Sequence, residues 1–254
     1  MKNVLVFTLL LVASGDAGGQ QQPTVEQILP RVVAYAREYR ERVPAFEADE
    51  SAVTQQLKGG KVKWEVRLEA TLRVLRDDSK PVPFTDKYTF RLVDGQSPKS
   101  HFKLPWFAQG VFSNAVGFVR MGDEGCYDYR LGPGDVDGSV QLEMWVKPGN
   151  PLPACKDVFE DYRKTLVVDA ASGRILHVTR SMSARAAKEH HEIFFLSLDY
   201  GPQKLGEETF WLPVRFEAHN DQNEKRMTAT FSNFHRYSST LKVIASDPLP
   251  DSSQ

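Results

Sequence analysis

The chain has 254 residues, with 32 basic and 33 acidic side chains and a formal net charge of -1. This balance argues against a dedicated nucleic-acid-binding protein, because binding to phosphates needs a strongly basic surface. A β-rich chain of this length can bury one core, so we expect a single domain over residues 20–243.

The N-terminus has the pattern of a secretory signal peptide. Met1 and Lys2 form a short positive start, an apolar run from Val4 to Val12 follows, and small residues come next. This run is too short for a stable membrane anchor, and it lacks the polar stripe of a buried helix. We therefore predict a signal peptide at residues 1–19, removed after Gly15 or Gly19, and a soluble exported protein with no transmembrane segment.

The chain has two cysteines, Cys126 and Cys155. An even number of cysteines in an exported protein favours a disulfide, because the compartment is oxidising. Two free thiols or two metal ligands are the alternatives. Neither cysteine has a CxxC partner or a nearby histidine, which disfavours a metal site.

The first predicted element is an amphipathic helix that follows a glutamine-rich junction. Thr24 can cap its start and Pro44 ends it, while Pro30 either bends the helix or opens its main segment. Its apolar residues recur at steps of three and four, which leaves one stripe to be buried: Ile28, Val32, Tyr35, Tyr39 and Val43.

The period changes to two at Trp64, where apolar and polar residues alternate as in a strand with one buried face. Further strands are predicted at residues 88–93, 108–121 (in one or two pieces), 126–131, 139–146, 164–169, 175–182, 192–200, 209–219 and 225–236.

The short turns between these strands predict a fold of the α+β class, mainly β. It is a long antiparallel meander curled into a half-open β-barrel, with the N-terminal helix as a plug. A β-sandwich is the alternative, but it gives the helix no obvious place to pack. Residues 244–254 are expected to be a disordered tail.

Polar residues that could carry chemistry are few. Asp169 to Gly173 reads as a hairpin corner, since nothing nearby could activate Ser172. His190 and His191 are adjacent, so they cannot both bind one ion from a strand or a helix. We found no catalytic motif and predict no enzyme, no metal and no cofactor.

The apolar face of the predicted sheet is broad, and one helix is a small plug for it. Any space left unfilled would be an apolar cleft able to hold an acyl chain or an apolar peptide. The predicted lining residues of this cavity are Trp64, Val66, Leu68, Leu72, Phe210, Leu212, Val214 and Phe216.

Several segments together resemble the outer-membrane lipoprotein-sorting superfamily of LolA- and LolB-like carriers. They are the signal, the helix, "WEVRLEATLRVL", "TLVVDAASGRILHVTR", "DYGPQKLGEETFWLPVRFEAH" and "TFSNFHRYSS". The resemblance implies an open β-barrel closed by helices, a bacterial periplasmic location and binding of acyl chains. Carriers place an arginine that holds the lid on the first long strand, where this chain has both Arg67 and Arg73. The insert between Ser97 and Cys155 has no clear counterpart.

The leading hypothesis is an exported, non-enzymatic carrier-like protein whose partner is a lipid acyl chain or a lipoprotein. The first alternative is a periplasmic protein-interaction or envelope-stress-sensing module with a filled core, whose partners are envelope proteins. The second alternative is an exported hydrolase that uses histidines and carboxylates. No nucleic-acid partner is expected.

Overall fold

The computed structural model describes residues 23–80, 82–99, 110–116, 124–134, 136–147, 155, 162–182, 195–220 and 223–237. These ranges contain one α-helix and ten strands. They are α1 (Val25–Arg42), β1 (Phe46–Lys58), β2 (Lys61–Arg76), β3 (Phe84–Val93), β4 (Tyr127–Pro133), β5 (Ser139–Val146), β6 (Tyr162–Asp169), β7 (Ile175–Met182), β8 (Phe195–Leu205), β9 (Glu208–Asn220) and β10 (Lys225–Arg236).

The ten strands form one sheet in the order β3-β2-β1-β10-β9-β8-β7-β6-β5-β4. Every neighbouring pair is antiparallel, and β1 pairs with β10. Strands β3 and β4 are the two edges, so the sheet does not close on itself. The prediction of a mainly β fold with a half-open antiparallel meander and one helix is confirmed, and the β-sandwich alternative is wrong.

Helix α1 has the predicted apolar stripe. Its buried side chains are spaced by three and four residues: Ile28, Val32, Ala36 and Tyr39. The backbone N–H of Thr24 donates to the side chain of Gln27 at 3.1 Å, which ties the start of the helix. The exposed Pro30 lies inside the helix, which begins five residues earlier, so Pro30 does not open its main segment.

Strand β1 was not predicted from the sequence. It is 13 residues long and lies between β2 and β10, near the middle of the sheet. Several of its buried positions carry small or polar residues, which hide the apolar alternation typical of a strand: Ala48, Glu50, Ala52 and Thr54.

The predicted strand at residues 108–121 is wrong over its described part, residues 110–116, which form consecutive turns. Asn114 N–H donates to the Gly110 carbonyl at 3.0 Å and Ala115 N–H donates to the Phe112 carbonyl at 3.2 Å. These local hydrogen bonds, together with a side-chain carboxylate, take the backbone groups that a sheet partner would need.

The same segment fills part of the interior, and we call residues 110–116 the inner segment. Phe112 is 1% exposed. Its ring centroid lies 5.2 Å from that of Phe46 and 4.9 Å from that of Phe231, on strands β1 and β10. The helix therefore shares the task of covering the sheet with a second piece of chain.

The predicted disulfide is present between Cys126 and Cys155. Cys126 ends a single 3-10 turn directly before β4. Several other predictions lie outside the described residues: the signal peptide at 1–19, the tail at 244–254, and the pair His190 and His191. Within the described ranges, no helix combines the length and the hydropathy that crossing a bilayer would require.

Candidate functional site

A cavity of about 340 Å³ lies between α1, the corner joining β6 to β7, and the hairpin of β8 and β9. This volume falls at the lower end of the range of roughly 300–1,000 Å³ that is common for small-molecule sites. Its lining combines aromatic, aliphatic and charged side chains: Tyr35, Glu38, Tyr39, Arg42, Val43, Ser172, Arg174, Pro202, Thr209, Phe210 and Trp211.

The corner from Asp169 to Gly173 forms one side of this cavity. Asp169 accepts hydrogen bonds from the backbone N–H and the hydroxyl of Ser172, at 2.7 and 2.6 Å. The N–H of Gly173 donates to the Asp169 carbonyl at 2.8 Å. The predicted hairpin corner is therefore confirmed, and the Ser172 hydroxyl serves the turn.

Gly173 lets this corner approach α1 closely. It has a φ of +74°, and a Cβ built on it would lie 2.3 Å from the backbone carbon of Arg31. The Arg31 guanidinium donates to the Ala170 carbonyl at 2.5 Å. The close approach of Gly173 to α1 and the hydrogen bond from Arg31 hold the corner against the helix, and they thereby set the width of the cavity.

The β8–β9 hairpin forms the opposite side. The Tyr35 hydroxyl of α1 donates to the Trp211 carbonyl at 3.2 Å, which joins the helix to the hairpin. The register shifts where Asp199 pairs with Arg215 but Tyr200 pairs with Pro213, so Val214 is an extra residue in β9.

This bulge corrects the expected alternation along β9. Phe216 pairs with Leu198, and Pro213 pairs with Tyr200, two residues further on the same face. The bulge thus interrupts the alternation between Phe216 and Leu212, although both side chains are buried in the same core. A strict alternation would place all of these side chains together.

The two arginines at the cavity differ in whether they form ion pairs. Arg42 forms ion pairs with Glu38 at 2.5 Å and with Glu208 at 2.8 Å. Arg174 instead lies over the Trp211 ring, with its Cζ 4.8 Å from the ring centroid.

Two tyrosines give the cavity an apolar wall. Tyr39 is 4% exposed and Tyr35 is half-buried. Burial raises the pKa of Tyr35 and of Tyr39 well above the usual range of a phenol. Both side chains therefore stay neutral, and their rings offer apolar contact area to a ligand.

The predicted lining residues are spread over several environments. Phe210 lies at this cavity. Leu68, Leu72, Leu212 and Phe216 are buried in the core, Val66 and Val214 are half-buried, and Trp64 is 37% exposed. Contact between any of these eight side chains and a ligand stays a prediction.

The interior beside the inner segment is occupied by the chain itself. The Asp86 carboxylate accepts hydrogen bonds from the N–H groups of Phe112 and Ser113, at 2.9 and 3.0 Å. The Tyr200 hydroxyl donates to the Ala115 carbonyl, and Arg40 donates to the Val116 carbonyl at 3.0 Å. The inner segment is thus held from β3, β8 and α1.

Arg67 and Arg73 lie on β2, which the structure shows to be the second long strand of the chain, and both form ion pairs at the surface. Arg67 forms an ion pair with Glu65 at 2.9 Å, and its side chain is 73% exposed. Arg73 pairs with Glu47 and is about half exposed. Both lie on the exposed face of β2, whereas the arginine that holds the inner segment is Arg40.

Residues that could bind a metal do not cluster in the described part of the chain. No group of three or more histidine, cysteine, aspartate or glutamate side chains converges there. His177 contacts Asp199 at 2.6 Å, and the ring of His219 stacks on Phe195 at 4.6 Å.

Several cavity residues were missed by reasoning from the sequence. Tyr35 and Tyr39 belong to the predicted helix stripe, and Arg174 has no predicted role. The sequence did contain a signal for the two tyrosines. They are four residues apart on the apolar stripe of the helix, and this stripe is expected to face the sheet. Nothing in the sequence indicated that Arg174 would meet Trp211.

Comparison with known proteins gave structural similarity at low identity. The sequence matches no known family profile and no curated protein. A DUF1329 family protein from Desulfovibrio piger is 18% identical, with coverage of 87% of this chain and 95% of that one and a TM-score of 0.37. An outer membrane lipoprotein-sorting protein domain from Vibrio parahaemolyticus is 13% identical, with coverage of 83% and 92% and a TM-score of 0.43.

A LolA superfamily protein from Nitrosomonas europaea is 12% identical, with coverage of 87% of this chain and 98% of that one and a TM-score of 0.38. Two of these three structures bear the name of the superfamily that the sequence resembles. Such identities and scores leave the roles of individual residues to be argued from the geometry of this chain alone.

Proposed function

We propose that this chain is an exported, non-enzymatic carrier that binds one acyl chain of a lipid or lipoprotein in the cavity between α1 and the β8–β9 hairpin. The observation that carries the proposal is the cavity itself, which has aromatic walls and a charged rim. An amphiphile needs this combination, because its tail seeks apolar surface while its head stays near water. Reversible transfer needs only a difference in affinity between donors and acceptors.

The periplasm is the proposed site of action. The signal-like N-terminus supports export, and the disulfide supports an oxidising compartment. Native mass spectrometry of protein purified from its host envelope tests both parts of the proposal. We expect a mass that lacks the first 15 or 19 residues, together with bound lipid; protein that repeatedly carries no lipid would contradict the carrier role.

A neutral apolar dye, N-phenyl-1-naphthylamine, tests the location of binding. Phe210→Asp puts a charge into the cavity wall and should weaken dye binding by about tenfold or more, since an unpaired charge resists burial among apolar groups. Val62→Asp is the matched control, because Val62 is 53% exposed and does not line the cavity. Equal dye binding by both variants would place the binding site elsewhere.

A protein-interaction or envelope-sensing module is the second candidate. The observation that favours it is the inner segment, which fills interior space that a large ligand would need. The insert bridged by the disulfide offers Val136, an apolar side chain that is 59% exposed at the β4–β5 turn. Val136→Asp should then abolish partner capture from an envelope extract, while Phe210→Asp should leave it unchanged.

A further inference from the structure

We propose that Arg174 binds an oxyanion, either a carboxylate or a phosphate, at the polar end of the ligand held in the cavity between α1 and the β8–β9 hairpin. This inference rests on the proposed function and names the class of ligand: an anionic amphiphile. It goes beyond apolar contact, because it assigns the head group to one named side chain.

Arg174 is a half-buried cation that forms no ion pair with any residue in the described part of the chain. Its guanidinium lies over the Trp211 ring, 4.8 Å from the centroid. Among the described residues, no carboxylate lies within ion-pair distance of it, and its side-chain N–H groups have no acceptor. Contact with a ring face holds the guanidinium in place and leaves the N–H donors in its plane free to form a bidentate pair with an oxyanion.

The other charged groups around the cavity form ion pairs with each other. Arg42 pairs with Glu38 and Glu208, which leaves these three groups with a net charge of -1 and makes Arg174 the cavity cation that has no ion pair among the described residues. The Asp169 carboxylate is nearest to Arg174 in sequence. Hydrogen bonds from Ser172, and secondarily the charge of Arg174, lower the pKa of Asp169, but the two side chains form no ion pair. The N–H donors of Arg174 therefore stay available to a ligand.

Trp211 contributes a second donor without an acceptor. Its indole Nε1–H is buried and has no hydrogen-bond partner among the described residues. A buried donor of this kind is unfavourable until an acceptor reaches it. Protein atoms enclose this N–H group, so the contact with the oxyanion is assigned to Arg174, and Trp211 supplies the ring face that holds the guanidinium.

The apolar side of the cavity suits the other end of such a ligand. Tyr39, Val43 and Phe210 line it, next to Pro202 on β8. A twelve-carbon chain with a charged end group is therefore a suitable probe. Dodecanoate and dodecyl phosphate supply the two oxyanions, and dodecyl maltoside supplies the same chain with a neutral head.

Isothermal titration of the wild-type protein with these three probes, each below its micelle concentration, is the test. We expect the two anionic probes to bind about 10- to 100-fold more tightly than the maltoside, as a charge-assisted hydrogen bond would give. High salt should reduce this preference. A stronger preference for one anionic probe distinguishes a fatty acid from a phosphate head group as the source of the oxyanion.

Arg174→Gln should remove the preference and leave binding of the maltoside unchanged. Arg226→Gln is the matched control, because it deletes the same charge from an exposed position on β10 that does not line the cavity. The wild-type comparison of the three probes needs no variant, so it still decides the matter if Arg174→Gln folds poorly.

The outcomes separate the two proposals. Equal binding of all three probes would overturn the role of Arg174 and leave the carrier function standing. A preference that survives in Arg174→Gln would likewise overturn it. No binding of any probe would overturn the carrier function, and the role of Arg174 with it.

Discussion

Glu50 places an acidic side chain on the buried face of β1, where it is 3% exposed. Its Oε2 atom has no hydrogen-bond partner among the described residues. Burial, and secondarily the charge of Asp86, raises the pKa of Glu50 to about 8. The folded protein therefore keeps this carboxyl protonated at neutral pH, whereas the unfolded chain ionises it.

Because of this shift, the free energy of unfolding falls as the pH rises. Between the ordinary pKa of 4.5 and about 8, the folded chain holds one more proton at Glu50 than the unfolded chain. The shift corresponds to at most about 5 kcal/mol. We expect Glu50→Gln to raise the free energy of unfolding by about 2–4 kcal/mol near pH 8.5 and to change it little near pH 4.

Urea unfolding at the two pH values measures this difference. Glu69→Gln, at an exposed position on the neighbouring strand β2, is the control and should stay within about 0.5 kcal/mol of wild type at both. If Glu50→Gln changed stability equally at low and high pH, the carboxyl would not be responsible.

Gly173 gives a second prediction for a single residue. A Cβ at this position would lie 2.3 Å from the backbone of Arg31, and the residue has a φ of +74°. Gly206 has a φ of +71° with nothing within 4 Å of its added Cβ, so it isolates the effect of conformation alone. We expect Gly206→Ala to destabilise by about 1 kcal/mol and Gly173→Ala by about 3 kcal/mol or more.

Thermal and urea unfolding of the two glycine variants provide the comparison. Gly173→Ala should also weaken binding of the apolar dye, because the corner it supports forms one wall of the cavity. Similar losses of stability in both variants would mean that the corner can move away from α1 at little cost.

At the scale of elements, the inner segment decides how much of the sheet is covered. Phe112 packs in edge-to-face geometry against Phe46, Phe231 and Phe234, with centroids 4.9 to 6.1 Å away. We expect Phe112→Ala to cost about 3–5 kcal/mol of stability, because a cavity replaces a buried ring. If the inner segment limits the space for ligands, the same variant should bind additional dye.

Dye titration and urea unfolding of Phe112→Ala are read together. The ring of Phe195 stacks on His219 and is only half-buried, so Phe195→Ala is the control for losing an aromatic ring. If Phe112→Ala loses stability but binds no additional dye, the space left by the ring has collapsed. The interior would then serve packing alone, as the interaction-module alternative requires.

The elements also show what reasoning from sequence can reach. Strands β5, β7 and β10 have the predicted bounds. In β5 and β10 the buried positions recur at every second residue and carry apolar side chains, which reveals the period. Strand β1 lacks that signal, since its inward positions include Ala48, Glu50 and Thr54. These side chains are buried by residues that are distant in the sequence, so the pattern of β1 alone does not reveal their burial.

The candidate site was harder to predict for the same reason. The bulge at Val214 depends on pairing with β8, and it interrupts the strict alternation of β9. Arg174 and Trp211 are far apart in sequence and meet only when the corner and the hairpin fold over α1. Of the eight predicted lining residues, Phe210 is at the cavity because it lies near the end of the hairpin.

At the scale of the whole molecule, the described strands form one sheet around a small helix, with β3 and β4 at its edges. Strands β1 and β10 lie inside the sheet and pair on both sides, whereas β3 and β4 each have one neighbour among the described strands. An edge strand exposes unpaired backbone groups and separates more easily than a central one. The molecule should therefore be most stable at its centre and least stable at the edges.

The disulfide lies next to the edge strand β4. It joins Cys126, directly before β4, to Cys155, 29 residues later, in the connection between β5 and β6. Closing a loop of this length should stabilise the fold by roughly 3–4 kcal/mol through the unfolded chain. Because the bridge encloses β4 and β5, we expect reduction to weaken those two strands before the centre of the sheet.

Hydrogen exchange followed by mass spectrometry, with and without reductant, resolves this gradient along the chain. Amides of β4 and β5 should lose protection on reduction by a larger factor than those of β1 and β10, whose partners are unaffected. A Cys126→Ala, Cys155→Ala double variant should reproduce the reduced pattern without reductant. Uniform loss of protection across all strands would instead mean that the sheet unfolds as one unit, with the bridge acting only on global stability.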